Sequence, residues 1–193
     1  DFVIIIFVSF YLLKDGEEIK VWLTDLFPDS ARARIIRLFD NLLSALRTYI
    51  CSQLVMCATT GILVFAFFQL MGLPYASVFA LLSAVSEFIP VLGPTIASAL
   101  GIIMTASTVP ELAIQTFIFY VILTQANHNI IYPALIGKSL HLHPVAVILG
   151  VVFGGEILGP AGMFLAVPFI VILKIVISDI YRDRKEQHGD REP

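Results

Sequence analysis

Long stretches without a formal charge constrain this chain more than any other feature of it. Between Thr48 and Ser178 only five side chains are Asp, Glu, Lys or Arg: Glu87, Glu111, Lys138, Glu156 and Lys174. The charge-free windows they bound are 39, 23, 26, 17 and 17 residues long, and a bilayer span needs about 20 apolar residues. Hydrophobic residues make up 58% of the chain and charged ones 14%, where soluble domains carry roughly a quarter charged. A soluble domain of this size could not hide that much apolar surface, because its exterior must face water and needs charge there. Lipid is the solvent that fits. The long runs lack the apolar-polar alternation of barrel strands, so helices are the structure left that satisfies its own backbone inside hydrocarbon. The expectation is an all-α, polytopic transmembrane helix bundle.

Read along the chain, residues 1–13 form an apolar stretch too short to cross a bilayer alone. With no basic n-region and no small-residue cleavage site, this stretch reads as the end of a truncated transmembrane helix rather than a signal peptide. The charged run Lys14-Asp15-Gly16-Glu17-Glu18 stops it. Pro28-Asp29-Ser30 then predicts a helix start. From there Ile35, Leu38, Phe39, Leu42, Leu43 and Leu46 make one apolar stripe, with Arg37, Asp40, Ser44 and Arg47 opposite. Residues 14–48 are thus a cytoplasmic or interfacial amphipathic segment: an interfacial helix or oligomer contact on one reading, a solvated linker helix on the other.

Residues 49–178 are the expected transmembrane domain. Tyr49 to Met71 is a complete span ending at Gly72-Leu73-Pro74. Two shorter apolar blocks follow, Pro74 to Ile89 and Thr95 to Thr108, separated by Pro90-Val91-Leu92-Gly93-Pro94. A helix from Pro74 to Phe88 would be only about 22 Å long, short of the roughly 30 Å hydrocarbon core. Glu111 to Gln125 begins another span, interrupted at Asn127-His128-Asn129 and Tyr132-Pro133. Leu142 to Phe153 and Met163 to Ile177 are joined by a glycine-rich connection from Gly154 to Gly162. These features predict two short hairpins, either re-entrant or built from broken, tilted helices. The basic residues of 14–48 and of the charged tail, 179–193, put both segments on the cytoplasmic side, so the crossings between them should be even in number.

The two hairpins echo one another. Pro74 is followed by Glu87 and then Leu92-Gly93-Pro94; Pro144 is followed by Glu156 and then Leu158-Gly159-Pro160. Paired, Gly/Pro-interrupted segments of this kind point to a transporter binding site, because broken helices offer backbone groups and dipole ends at membrane depth. Chance recurrence of Leu-Gly-Pro is the alternative.

An ionisable side chain in a membrane segment is a functional candidate by default. Glu87 and Glu156 stand at the breaks, where a carboxylate could bind a cation or exchange a proton; the plainer alternative is a headgroup contact or a helix cap. Glu111, just after Pro110, reads as a first-turn residue at an interface, and Lys174 can snorkel toward the basic side. The polar run Gln125-Ala126-Asn127-His128-Asn129 suits either a polar solute path or a buried network between helices. His128, His141 and His143 lack the carboxylate or thiol neighbours of a metal site, and Cys51 and Cys57 face different sides of one helix, so neither a metal nor a disulfide is expected. No motif for a cofactor, a nucleic acid or a hydrolytic centre is present, and no Asp lies between Asn41 and Ser178.

Taken in order, Glu87-Phe88-Ile89-Pro90, Gly93-Pro94, Asn127, Pro133, Gly137, Leu142 with Pro144, Gly154-Gly155, Gly159, Gly162 and Ala166-Val167-Pro168 resemble the autoinducer-2 exporter family of predicted permeases. The prolines and glycines of this set mark the helix breaks and hairpins. The resemblance covers essentially the whole chain, and it implies a multi-pass permease of a prokaryotic cytoplasmic membrane, assembled as a homo-oligomer. It further implies export of a small hydrophilic solute or, in some relatives, exchange of sodium for protons. The path candidates are Glu87, Gln125, Asn127, Asn129 and Glu156.

Overall fold

The computed structural model describes residues 15–136 and 142–189. The expected first helix, 1–13, and Gly137, Lys138 and His141 lie outside the described residues. Every regular element among the described residues is helical: α1 Gly16–Asp25, α2 Asp29–Leu70, α3 Ala76–Ser86 and α4 Leu92–Thr108, then a 3-10 turn Pro110–Leu112, α5 Ala113–Ala126, a π-turn Asn127–Ile131, α6 Tyr132–Ile136, α7 Pro144–Leu158 and α8 Pro160–Gly189.

The amphipathic segment and the first full span are one uninterrupted helix of 42 residues, about 63 Å long at 1.5 Å per residue. No Pro or Gly occurs between Asp29 and Thr60 to break it. It ends as expected at Gly72, whose φ is +66°. There Leu73 N–H donates to Phe68 O at 2.8 Å and Gly72 N–H to Gln69 O at 3.2 Å, the paired bonds of a left-handed C-terminal cap.

Among the described residues two helices are long and apolar enough to cross a bilayer, Ala31–Leu70 and Pro160–Tyr181, while Ala76–Ser86, Leu92–Thr108 and Val145–Leu158 are apolar but shorter. Large apolar side chains stand on the outside throughout: Leu70 is 82% exposed, Ile157 76%, Ile114 72% and Ile62 67%. Water would penalise such a surface, and hydrocarbon would not.

Two compact units are present, residues 45–173 and the remainder. Within the smaller, Arg34 Nε donates to Asp179 Oδ2 at 2.8 Å and its Nη2 to the Asp179 carbonyl at 3.2 Å; Lys20 pairs with Asp40 and Arg32 with Asp25. Within the larger, Val64 and Phe68 of α2 pack with Leu73, with Ala76 and Phe79 of α3 and with Tyr120 and Leu123 of α5. Phe67 stacks on Phe119 at 4.0 Å.

The hairpin turns differ in kind. Between α3 and α4 the break takes five residues, Glu87 to Val91, and Gly93 then sits so close to α3 that an added Cβ would lie 1.8 Å from Ser86 O. Between α7 and α8 the break is Gly159 alone, at φ +61°; the close approach is between Gly154 and Gly162, where a Cβ on Gly162 would lie 1.8 Å from Gly154 O. The echo is therefore one of residue order, and the two Leu-Gly-Pro triplets occupy different places in their turns. Gly154 and Gly155 lie inside α7, where the lack of a Cβ admits α8.

Two prolines expected to interrupt helices do not end them. Pro168 lies inside α8, which continues past it, as membrane helices tolerate. Pro133 falls in the first turn of α6. Having no N–H for a carbonyl four residues back, it is met by the wider π-turn, and the helical path runs on from Pro110 to Ile136.

Candidate functional site

Three helices bring polar side chains together inside the larger unit. The buried face of α2 runs Tyr49, Ser52, Gln53, Met56, Cys57, Thr60, Val64 and Phe68, a stripe at helical spacing that is apolar at its end and polar at its middle. Glu87 caps α3 where that helix stops. Asn127 opens the π-turn after α5 and is 3% exposed. π-turns shift the phase of a helix and recur at functional sites.

The bonds converge on Glu87. Thr60 Oγ1 donates to its Oε1 at 2.8 Å and Asn127 Nδ2 donates to the same oxygen at 2.9 Å. Asn127 Nδ2 also donates to Thr60 Oγ1 at 2.8 Å, and Gln53 Nε2 donates to the Glu87 main-chain carbonyl at 2.7 Å. The break is thereby held to α2 through both side chain and backbone. Among the described residues Asn127 Oδ1 is buried without a partner.

The break that carries Glu87 is itself strained. Val91 has φ +68° and ψ −55°, and Leu92 N–H donates to Pro90 O at 2.8 Å across it. This is the positive-φ form of the γ-turn, rare for any residue and costly for a β-branched one. A cavity of about 230 Å³ opens beside it, lined on its polar side by Tyr49, Gln53, Glu87, Asn127, His128 and Tyr132 and elsewhere by apolar groups including Val91 and Val167.

The five path candidates separate. Glu87 and Asn127 meet. Gln125, Asn129 and Glu156 are exposed and take no part in the cluster. His128 donates from Nδ1 to Thr124 O at 2.9 Å and lines the cavity. His143 accepts from Val145 N–H at 3.3 Å, which makes its ring a cap for α7. Cys51 is exposed and Cys57 buried on α2. Gln53 and Thr60 escaped the reading from sequence. Their spacing of seven puts them on one face, but that spacing alone does not set them apart from other polar residues of a membrane helix.

A helical membrane protein with a polar centre at a helix break, beside a cavity, has the form of a transporter. Comparison with known proteins agrees, and the chain belongs to the AI-2E family transporter family, whose sequence model matches residues 1–182. It is 37% identical over 182 residues to the Bacillus subtilis (strain 168) protein named "Putative transport protein YrrI", covering 93% of this chain and 51% of that one. It is 28% identical over 153 residues to "AI-2 transport protein TqsA" of Escherichia coli (strain K12), covering 78% of this chain and 43% of that one. The chain spans about half the length of the curated relatives it matches.

Proposed function

We propose that this chain is part of a secondary transporter that moves a small hydrophilic solute across the cytoplasmic membrane of a prokaryote, with the Glu87 cluster as its polar centre. The observation that carries this reading is the convergence of Thr60 and Asn127 on one carboxylate oxygen at the break between α3 and α4. A lone carboxylate at membrane depth is costly, and a scaffold has no use for one aimed at a cavity. The strained turn at Val91 adjoins that carboxylate, so the break can change shape when the charge or the occupant of the site changes. The cavity between α2, the break after α3, the π-turn and α7 is the solute's place, polar on the Glu87 side and apolar on the other, the mixed lining common to small-molecule sites.

Uptake into everted vesicles carrying the full-length protein tests the proposal. A hydrogen bond to a charged group contributes about 1.5–3 kcal/mol, so Glu87→Gln is expected to lower flux at least about tenfold. Glu156→Gln, whose side chain is exposed outside the cluster, should leave flux within about twofold, as surface substitutions commonly do. Flux unchanged by Glu87→Gln would sink the assignment.

A further inference from the structure

The cavity beside the break holds about 230 Å³, less than the roughly 300–1,000 Å³ of sites for drug-sized ligands, so its occupant is a molecule of a few carbon atoms. Two polar atoms of its wall are left without a protein bond. Tyr49 is 5% exposed and lines the cavity, and its hydroxyl is bonded to no group among the described residues. Glu87 takes both of its side-chain bonds, from Thr60 and Asn127, on Oε1, which leaves Oε2 with none. Neither atom is buried, so each presents surface to the space that its side chain lines. A phenol held this deep without a protein partner calls for one from the occupant. The charge of the wall is one-sided: Glu87 is its carboxylate, and neither Lys nor Arg lines it among the described residues.

We propose that the solute is a short-chain primary ammonium ion, its N–H groups donating to Glu87 Oε2 and Tyr49 Oη and its carbon chain lying on Val147, Ile148 and Val167. The proposal rests on the transport reading above and names the class of solute for that same cavity. An anion would meet a carboxylate with no base to offset it, away from water. A neutral alcohol could donate to one of the two acceptors and would leave the carboxylate charge uncompensated. An ammonium ion supplies several donors and the opposite charge in one group, and the rings of Tyr49 and Tyr132 at the wall favour a cationic head over an uncharged one. Protonating Glu87 would remove its charge and make Oε2 a donor. An alcohol would then bind as well as an ammonium ion of the same chain length, and that difference is measurable.

Competition against radioactive butylammonium, bound at neutral pH to the purified full-length protein in detergent, is the test. The expected result is saturable binding of one butylammonium per chain, with butan-1-ol and butyrate each displacing it at least about tenfold less well than unlabelled butylammonium. Glu87→Gln, and Tyr49→Phe, which removes only the hydroxyl, should each weaken binding about tenfold. Ser98→Ala, whose hydroxyl bonds within α4, should leave it unchanged. The ranking of competitors needs only the wild type, so it decides the matter even where a variant fails to fold. Equal displacement by butan-1-ol, absence of saturable binding, or unchanged affinity in Tyr49→Phe overturns the ammonium site. If butylammonium fails to bind while Glu87→Gln still lowers flux, the ammonium assignment falls and the transport reading survives. If the competitors rank as expected while flux ignores Glu87→Gln, the ammonium site stands and the transport reading falls.

Discussion

Thr60 holds a position that no local feature announces. Its hydroxyl gives its hydrogen to Glu87 and takes one from Asn127, so it closes a three-membered ring of polar groups from α2, the α3 end and the π-turn. Thr60→Val keeps the shape and removes the ring. It should lower thermal stability in detergent by about 1–2 kcal/mol and reduce flux, whereas the same exchange at Thr108, whose hydroxyl bonds only within α4, should do neither. Equal effects at the two sites would show that the ring contributes nothing special. Glu87 and Asn127 could be picked out from sequence because a carboxylate at a helix break and a run of amides, 125–129, stand out between apolar stretches. Thr60 and Gln53 could not, since hydroxyls and single amides are ordinary in membrane helices and their partners lie 27 and 34 residues away. Gln125 and Asn129 were as conspicuous as Asn127. Of the three only Asn127, which opens the π-turn, is buried, while Gln125 on α5 and Asn129 within the turn are exposed, a difference that residue type does not reveal.

At the scale of elements, helix ends marked by Gly and Pro were legible: Gly72, Gly93 and Gly159 all fall at or next to a boundary. Less legible was where the chain turns and where it merely packs. Gly154 and Gly162 are packing glycines, and the distinction depends on a partner helix the local sequence does not reveal. Gly162→Ala puts a methyl group into the Gly154 carbonyl, so fluorescence-detected size exclusion should show loss of monodisperse protein. Gly159→Ala meets no neighbour and faces only the backbone cost of its φ +61°, ψ −143° conformation, about 1–3 kcal/mol, and should remain monodisperse. At the other break, Val91→Gly removes the side chain from a positive φ and should raise the melting temperature while changing flux. A lowered melting temperature would mean that Val91 gains more from its contacts than it loses to strain.

For the whole molecule, the proposed topology places the basic segment 14–48 and the tail on one side. Single cysteines introduced at Glu18 and Asp179 in a background with Cys51 and Cys57 replaced should both be labelled by a membrane-impermeant maleimide in everted vesicles and neither in intact cells. Labelling of the two from opposite faces would require an odd number of crossings and would overturn the even count drawn from the basic residues.

The π-turn has a consequence for how such a chain can change over time. A π-turn holds one residue more than the α-helix it interrupts, so losing one residue from His128 to Ile131 would let the ladder close as ordinary α-helix while the helix beyond keeps its phase. Tyr132 would keep its place in the cavity wall and Ser52 the Leu135 carbonyl it bonds at 3.3 Å, while Asn127 would lose the wider turn it opens. A one-residue gap here is therefore a change confined to the polar centre, and chains that carry it should be expected to differ there and not in the rest of the helix.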